Sequence, residues 1–237
     1  MPQEKIVDGT PCRCTITRRF FIDKYGLHFG TGCNLGGWRI FIHDLMVQLL
    51  QSLCSYAGFS SKLEPVGMFR GNEVGLADGS KGDLVISNLG PKPILLDVRV
   101  SSVCPANGGQ LSARDINDKD LTKKNLKRNY DEKMRHYGPA AQGANIEFVP
   151  CIVDIGGQMH DSFKKLVKKI LQKASDQRHI PLSVLWNYWF SALTVSLYRG
   201  RAKAMIGLTK RAFGNNLPDN YESSDIVVSR SSYLNRK

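Results

Sequence analysis

The chain has 237 residues, of which 42% are hydrophobic, and a formal net charge of +12. That hydrophobic share is ample for a packed core and excludes a globally disordered protein. The longest apolar stretches, around 41–53 and 182–198, are interrupted by polar residues. They therefore fall short of the roughly 20 apolar residues that a membrane span needs. Because the first residues also lack a signal-peptide pattern, we expect an intracellular protein. The location that we expect within the cell is the nucleus.

The positive charge is concentrated in one part of the chain. Between Arg114 and Arg211 there are 19 Lys and Arg against nine Asp and Glu. A field of that sign attracts polyanions and releases counterions from phosphate groups. The distribution favours a nucleic-acid partner, although a basic surface without a specific role would have the same composition.

The first 36 residues predict a zinc-binding segment. They contain the spacing C-x-C-x13-H-x4-C, formed by Cys12, Cys14, His28 and Cys33. Zinc favours four such ligands in a tetrahedral structural site. The segment has too few apolar residues to fold without a metal. The alternative is three free thiols and a surface histidine.

The remainder of the chain predicts an α/β fold, because helical and extended apolar patterns alternate. In chain order the predicted elements are a helix at 37–56, an extended segment at 62–68, strands at 83–87 and 94–101, a loop at 104–116, a helix at 118–137, a strand at 146–155, and helices at 159–174 and 182–208. Gly138-Pro139 predicts the end of the second helix, and Gly200 predicts a break in the last one. We expect a zinc segment at 1–36, one α/β domain at 37–213, and a disordered tail at 214–237.

An acidic pair stands out in the two predicted central strands. Asp83 enters the first strand, and Asp97 lies within the apolar run of the second. An ionised carboxylate is costly among apolar neighbours unless it is paired or binds a metal. A hairpin about 89–93 would bring both acids near the same end, where they could hold Mg²⁺. The alternative is that Asp83 caps a strand and Asp97 pairs with Arg99 or a core lysine.

These residues resemble the restriction-like PD-(D/E)xK endonuclease domain, with a preceding CCHC zinc knuckle, at the C-terminus of non-LTR retrotransposon reverse-transcriptase polyproteins. The motifs that carry the resemblance, in chain order, are Gly36–Asp44, Gly58–Pro65, Gly82–Val85, Leu95–Ser102, Glu132–Tyr137, Phe148–Gly157 and Trp189–Ala204. The resemblance implies a restriction-endonuclease-like core, in which helices flank a central mixed sheet. It also implies a DNA-nicking enzyme with Asp83 and Asp97 as ligands of a catalytic Mg²⁺ or Mn²⁺.

The resemblance also bears on the catalytic lysine, which in that family often lies two residues after the second acid. Here that position is Arg99, whose guanidinium stays protonated and cannot act as a base. The resemblance implies a lysine from the following helix, with Lys133 as the best match and Lys127 as the reserve. His43 would contact phosphate or the metal-bound water, or else serve as a hydrogen-bonded core residue.

The predicted partners are DNA, the RNA of a retroelement, and a reverse-transcriptase domain or subunit. The residues that we expect to contact nucleic acid are Lys127, Arg135, Tyr137, Lys164 and Lys168. Two other functions are compatible with the sequence. One is a catalytically inactive nucleic-acid-binding module of the same fold. The other is an interaction protein whose last helix uses Trp186, Trp189 and Phe190 to pack on a partner.

Overall fold

The computed structural model describes residues 11–12, 20–21, 38–65, 82–102 and 118–213. Two short strands, β1 (Pro11–Cys12) and β2 (Phe20–Phe21), pair antiparallel in the N-terminal segment. The other elements, in chain order, are α1 (Trp38–Tyr56), β3 (Ser60–Leu63), β4 (Leu84–Ser87), β5 (Ile94–Ser101), α2 (Lys119–Gly143), β6 (Glu147–Asp154), α3 (Asp161–Arg178) and α4 (Leu182–Phe213). The fold is therefore mixed α/β.

A four-stranded mixed sheet, in the order β3-β4-β5-β6, forms the centre of the molecule. β4 pairs antiparallel with both β3 and β5, whereas β5 and β6 are parallel. A parallel pair needs a long crossover connection, and the segment that contains α2 provides it. The predicted hairpin between the two central strands is present, with Leu84 opposite Leu96 and Ile86 opposite Ile94.

One face of the sheet packs against α1 and α3, and α4 packs on these two helices to complete the main core. Alternate residues of the central strands, such as Ile86 and Leu96, point into this core because strand side chains alternate between faces. The apolar stripe that predicted α3 is buried there: Phe163, Leu166, Val167, Ile170 and Leu171. Five lysines of α3 lie on its exposed face: Lys164, Lys165, Lys168, Lys169 and Lys173.

The opposite face of the sheet is covered by α2, which packs mainly on β6 and β5. Asp118 caps the start of this helix by accepting hydrogen bonds from the N–H groups of Asp120 and Leu121. Within the helix, Asn125 is buried and donates to Ser101 Oγ and the Ser102 carbonyl at the end of β5. These contacts fix α2 lengthwise over the sheet.

Two predicted helix interruptions were wrong. α2 runs through Pro139 to Gly143, because the next turn buries Ala140 and Ala141 against the sheet and this packing outweighs the hydrogen bond that proline removes. α4 is continuous through Gly200. A Cβ at Gly200 would lie 2.7 Å from Cγ1 of Ile42, so the glycine permits close contact between α4 and α1.

The remaining fold predictions differ in their outcome. The extended segment near 62–68 is the strand Ser60–Leu63, and its residues 66–68 lie outside the described part of the chain. The same holds for the tail 214–237 and for three predicted zinc ligands, Cys14, His28 and Cys33. No helix in the described ranges combines the length and apolarity that a membrane crossing requires.

Candidate active site

The antiparallel register of β4 and β5 places Asp83 beside Asp97. Leu84 pairs with Leu96, so the preceding residue, Asp83, lies opposite the following one, Asp97. The Asp83 N–H donates to the Leu96 carbonyl at 2.8 Å, and the Val98 N–H donates to Asp83 Oδ2 at 2.6 Å. Directly opposed residues of this kind share one face of the sheet, with Cβ atoms about 5 Å apart. Here that face is the one covered by α2.

Gly82 is required for this close approach. A Cβ at that position would lie 2.6 Å from Cδ1 of Leu95 and 2.9 Å from the Leu96 carbonyl oxygen. The second contact is with backbone, which cannot move without disturbing the hairpin. Glycine therefore allows the chain to enter β4 next to β5 and to bring Asp83 level with Asp97.

Lys133 of α2 reaches the second acid. Its Nζ lies 2.6 Å from Oδ2 of Asp97, whose side chain is 7% exposed. The contact is an ion pair, and the Oδ2 atom that makes it is buried. Of the two predicted lysines, Lys133 is the one at the carboxylates. Lys127 instead pairs with Asp131 at 2.9 Å on the exposed side of the helix.

His43 of α1 reaches the first acid. Its Nε2 lies 3.1 Å from Oδ2 of Asp83, and its Nδ1 lies 3.0 Å from Oδ1 of the neighbouring Asp44. The imidazole is thus held between two carboxylates, and its side chain is 30% exposed. Asp44 fixes the orientation of the ring toward Asp83.

Electrostatics in this cluster are governed by burial and by the opposing charges. The hydrogen bond with Asp83 is the main reason that the pKa of His43 rises to about 9, although burial works against it. Burial raises the pKa of Asp97 to about 6, which the ion pair with Lys133 opposes and the Asp83 charge reinforces. Burial is the largest single influence on Asp83 and acts to raise its pKa, but the hydrogen bond and charge of His43 and the hydrogen bond from the Val98 N–H act in the other direction, and the net result is a lowered pKa for that carboxyl.

Arg99 and Glu132 form a contact that the sequence reasoning missed. Arg99 lies two residues after Asp97, on the same face of β5, and its Nη1 is 2.9 Å from Oε2 of Glu132. Glu132 immediately precedes Lys133 on α2. The ion pair therefore joins α2 to β5 next to the point where Lys133 meets Asp97. In the sequence, this pair is indicated only by two opposite charges that lie close to predicted site residues, Arg99 near Asp97 and Glu132 next to Lys133.

The residues predicted to contact nucleic acid are distributed over two helices. Tyr137 lies near the acids, since its ring centroid is 5.5 Å from Nζ of Lys133. Burial, followed by the charges of Asp97 and Asp83, raises the pKa of its phenol. Arg135 is exposed on the same helix, α2. Lys164 and Lys168 are exposed on α3, which covers the other face of the sheet. The structure thus groups Tyr137 with the acidic pair and separates the two α3 lysines from it.

The described residues offer two carboxylates, not a complete protein cage, for a metal ion. Within those ranges, no three His, Cys, Asp or Glu side chains are grouped so as to hold a metal. Two carboxylates fit Mg²⁺, which is often bound by one or two carboxylates and completes its shell with water and phosphate. Among the predicted zinc ligands, Cys12 belongs to β1, where its backbone pairs with Phe20.

The chain was also compared with known proteins. No protein-family description matches it, and no curated protein matches it.

Proposed function

We propose that this chain is a metal-dependent DNA endonuclease of the restriction-like PD-(D/E)xK class, related to the nicking domains of non-LTR retroelements. The observation that carries the proposal is the arrangement of Asp83, Asp97 and Lys133. Two acids on adjacent strands lie side by side on one face of the sheet, and the lysine ammonium is 2.6 Å from the more buried acid. The order of motifs along the sequence supports the same assignment.

Asp83 and Asp97 would hold Mg²⁺ or Mn²⁺, which supplies Lewis-acid polarisation of the scissile phosphate and a more acidic water. Lys133 would place its positive charge where negative charge develops on the phosphate oxygens. His43, held by Asp44, would orient Asp83 and offer a proton donor at the edge of the site. Arg99 stays outside this chemistry because it is engaged by Glu132.

A nicking assay on supercoiled plasmid with Mg²⁺ or Mn²⁺ tests the proposal. The parent chain should convert the plasmid to open circles, and Asp97→Ala should abolish the conversion. Asp131→Ala is a suitable control, because Asp131 lies on the same helix, α2, and pairs with exposed Lys127 instead of with the acidic site. Cutting that survives Asp97→Ala unchanged would show that the acidic pair is not the catalytic site.

A second candidate is a nucleic-acid-binding module of the same fold without catalysis. The observation in its favour is that each carboxylate already has a cationic partner, His43 for Asp83 and Lys133 for Asp97. In that case the parent chain would bind DNA but leave the plasmid intact under all metal conditions. Asp97→Ala would then change DNA binding little.

We also propose that Cys12, Cys14, His28 and Cys33 hold a structural zinc ion in the N-terminal segment. Elemental analysis of the purified chain should give one zinc per molecule. Cys33→Ser should lower that ratio, because losing one of four ligands weakens a tetrahedral site. Cys54→Ser should leave it unchanged, because Cys54 is buried in the main core.

A further inference from the structure

An open groove runs between the exposed face of α3 and the turn that joins β4 to β5. Its α3 wall carries Lys165, Lys168, Lys169 and Lys173, and its opposite wall includes Asn88 and Leu89 of the turn. We refer to it as the α3 groove. Nothing in the proposed catalytic chemistry uses it.

The α3 groove has a strong excess of positive charge. One acid, Asp176, lies among its lining residues, and its Oδ1 accepts a hydrogen bond from Gln172. Within the described ranges, none of the four lysines forms an ion pair with a carboxylate. Four unneutralised ammonium groups along one wall form a surface whose natural counterpart is a polyanion.

The spacing of the lysines fits a row of phosphates. Lys165 and Lys173 are eight residues apart on one helix, which is about 12 Å along its axis. Phosphates of one DNA strand advance about 3.4 Å each along the duplex axis, so the row faces about three of them. The turn narrows the groove, since a Cβ on Gly90 would lie 3.6 Å from Nζ of Lys169.

The α3 groove is separate from the acidic pair. Asp83 immediately precedes β4 and Asn88 immediately follows it, so the two ends are about 17 Å apart at the usual rise of a strand. The acids face α2, whereas α3 packs on the other face of the sheet. A separation of about 17 Å corresponds to about five base-pair steps of B-DNA.

We propose that the α3 groove binds the phosphate backbone of DNA that flanks the cutting site. The inference deepens the proposed function, because it rests on DNA being the substrate, and it assigns Lys165, Lys168, Lys169 and Lys173 to a second contact region. DNA that bends around the end of the sheet would touch both regions. The groove contributes affinity and leaves the choice of the scissile bond to the acidic pair.

Binding of a 30-base-pair duplex in EDTA, where no cutting occurs, tests the inference. Affinity for DNA falls as salt rises, and each lost phosphate contact reduces the magnitude of the slope of log K against log salt by about 0.9. Between 50 and 200 mM salt, the loss of affinity is then about 3.5-fold smaller for each contact removed. For the triple variant Lys165→Gln, Lys168→Gln, Lys169→Gln, the loss of affinity over the same salt range should be about 40-fold smaller than for the parent. An unchanged slope and affinity would overturn the inference.

The sequence predicts that Lys164 also contacts nucleic acid, but this exposed lysine of α3 does not line the groove. The inference therefore assigns it no phosphate contact, and it provides a matched control on the same helix. Lys168→Gln should reduce the salt slope by about 0.9, and Lys164→Gln should reduce it much less. Equal effects would indicate a diffuse positive field and would overturn the inference. So would loss of binding to phosphatidylserine vesicles in the triple variant with DNA binding unchanged, because the ligand would then be a membrane.

The binding test of the α3 groove does not depend on whether the chain cuts DNA. If the parent chain fails to nick plasmid but the triple variant loses salt-sensitive binding, the groove is supported and the endonuclease proposal fails. If Asp97→Ala abolishes nicking while the triple variant binds duplex like the parent, the endonuclease proposal is supported and the inference about the groove fails.

Discussion

Four charges, two cations and two carboxylates, form the candidate active site, and each comes from a different segment of the chain. His43 of α1 pairs with Asp83, and Lys133 of α2 pairs with Asp97. The two acids are neighbours across the β4–β5 hairpin, so each cation neutralises one of two carboxylates that would otherwise repel each other. The arrangement makes specific demands on individual residues.

Lys133 should matter for turnover more than for DNA affinity, because its ammonium lies at the buried acid and not on the exposed face. Replacing it by glutamine should lower kcat by about 100-fold or more, the usual effect of removing one electrostatic stabiliser of a transition state. Lys127→Gln, on the same helix, should change kcat little, since Lys127 pairs with Asp131. Equal losses in the two variants, measured by plasmid nicking, would contradict this role.

His43 should make the metal-free protein less stable at alkaline pH. Its pKa is raised to about 9 in the folded state, above the ordinary 6.5, so its contribution is complete below pH 6.5 and disappears as pH rises through 9. The contribution is on the order of 2 kcal/mol once solvent screening of a partly exposed group is allowed for. Urea unfolding in EDTA between pH 6 and 10 measures it. The His43→Gln variant should show a flatter profile, and parallel profiles would contradict the prediction.

At the scale of elements, the site depends on how α2 lies on β5. Asn125 fixes one part of the helix to the end of the strand, and Glu132 contacts Arg99 near its middle. Lys133 then projects onto Asp97. A lysine on a helix keeps its distance from an acid on a strand only while the helix keeps its position on the sheet. A lysine on the strand itself would not depend on that position, and small misplacements of a reacting group lower reaction rates strongly.

The Arg99–Glu132 contact should therefore affect turnover without much effect on stability. Both side chains are at least one-third exposed, so the pair contributes about 1 kcal/mol or less to folding. Glu132→Gln and Arg99→Gln should each lower kcat several-fold. The double variant should be no worse than either single variant, because one contact is lost in all three. Additive losses in nicking rate would show that the residues act separately.

Packing between α1 and α4 depends on Gly200. Gly200→Ala should destabilise the fold by about 1 kcal/mol, since overpacking against buried Ile42 outweighs the better helix propensity of alanine. In an Ile42→Ala background the same change should be neutral or stabilising. Thermal unfolding of the four proteins measures this, and a destabilisation of equal size in both backgrounds would contradict it.

Elements with a strong internal period could be predicted from the sequence, and contacts between elements could not. The stripe from Phe163 to Leu171 predicted α3, and the apolar run around Asp97 predicted β5. The continuation of α2 past Pro139 and of α4 through Gly200 was missed, because it depends on packing of these helices on β6 and α1. The acidic pair was predictable because a two-strand hairpin fixes its own register.

The lysine and its support were less accessible to sequence reasoning. The choice between Lys127 and Lys133 depends on which side of α2 faces the sheet, and the helix is polar over much of its surface. The Arg99–Glu132 pair joins residues 33 positions apart, and the sequence gives no periodic signal for it. The division of the α3 lysines between groove and solvent likewise required the position of the β4–β5 turn.

At the scale of the whole molecule, one core joins α1, α3, α4 and the sheet. Two cysteine thiols lie in this core, and their reactivity measures whether it is closed to solvent. Cys54 and Cys151 are both completely buried, and burial raises the pKa of Cys54 to about 12. Reaction requires the thiolate, so neither residue should be alkylated by iodoacetamide at pH 8 while the fold is intact. Peptide mass spectrometry with and without guanidinium measures this. Rapid labelling of both in the native protein would contradict a single closed core.

The four-charge cluster has a consequence for how the molecule opens. If α2 lifts from the sheet, Asp97 loses its counter-ion while Asp83 stays beside it, and the repulsion between the two carboxylates is no longer offset by Lys133. Such an opened form is electrostatically penalised, so detachment of the helix should coincide with wider loss of structure. Under the proposed function, Mg²⁺ held by Asp83 and Asp97 would offset this repulsion and keep the hairpin intact after the helix has left.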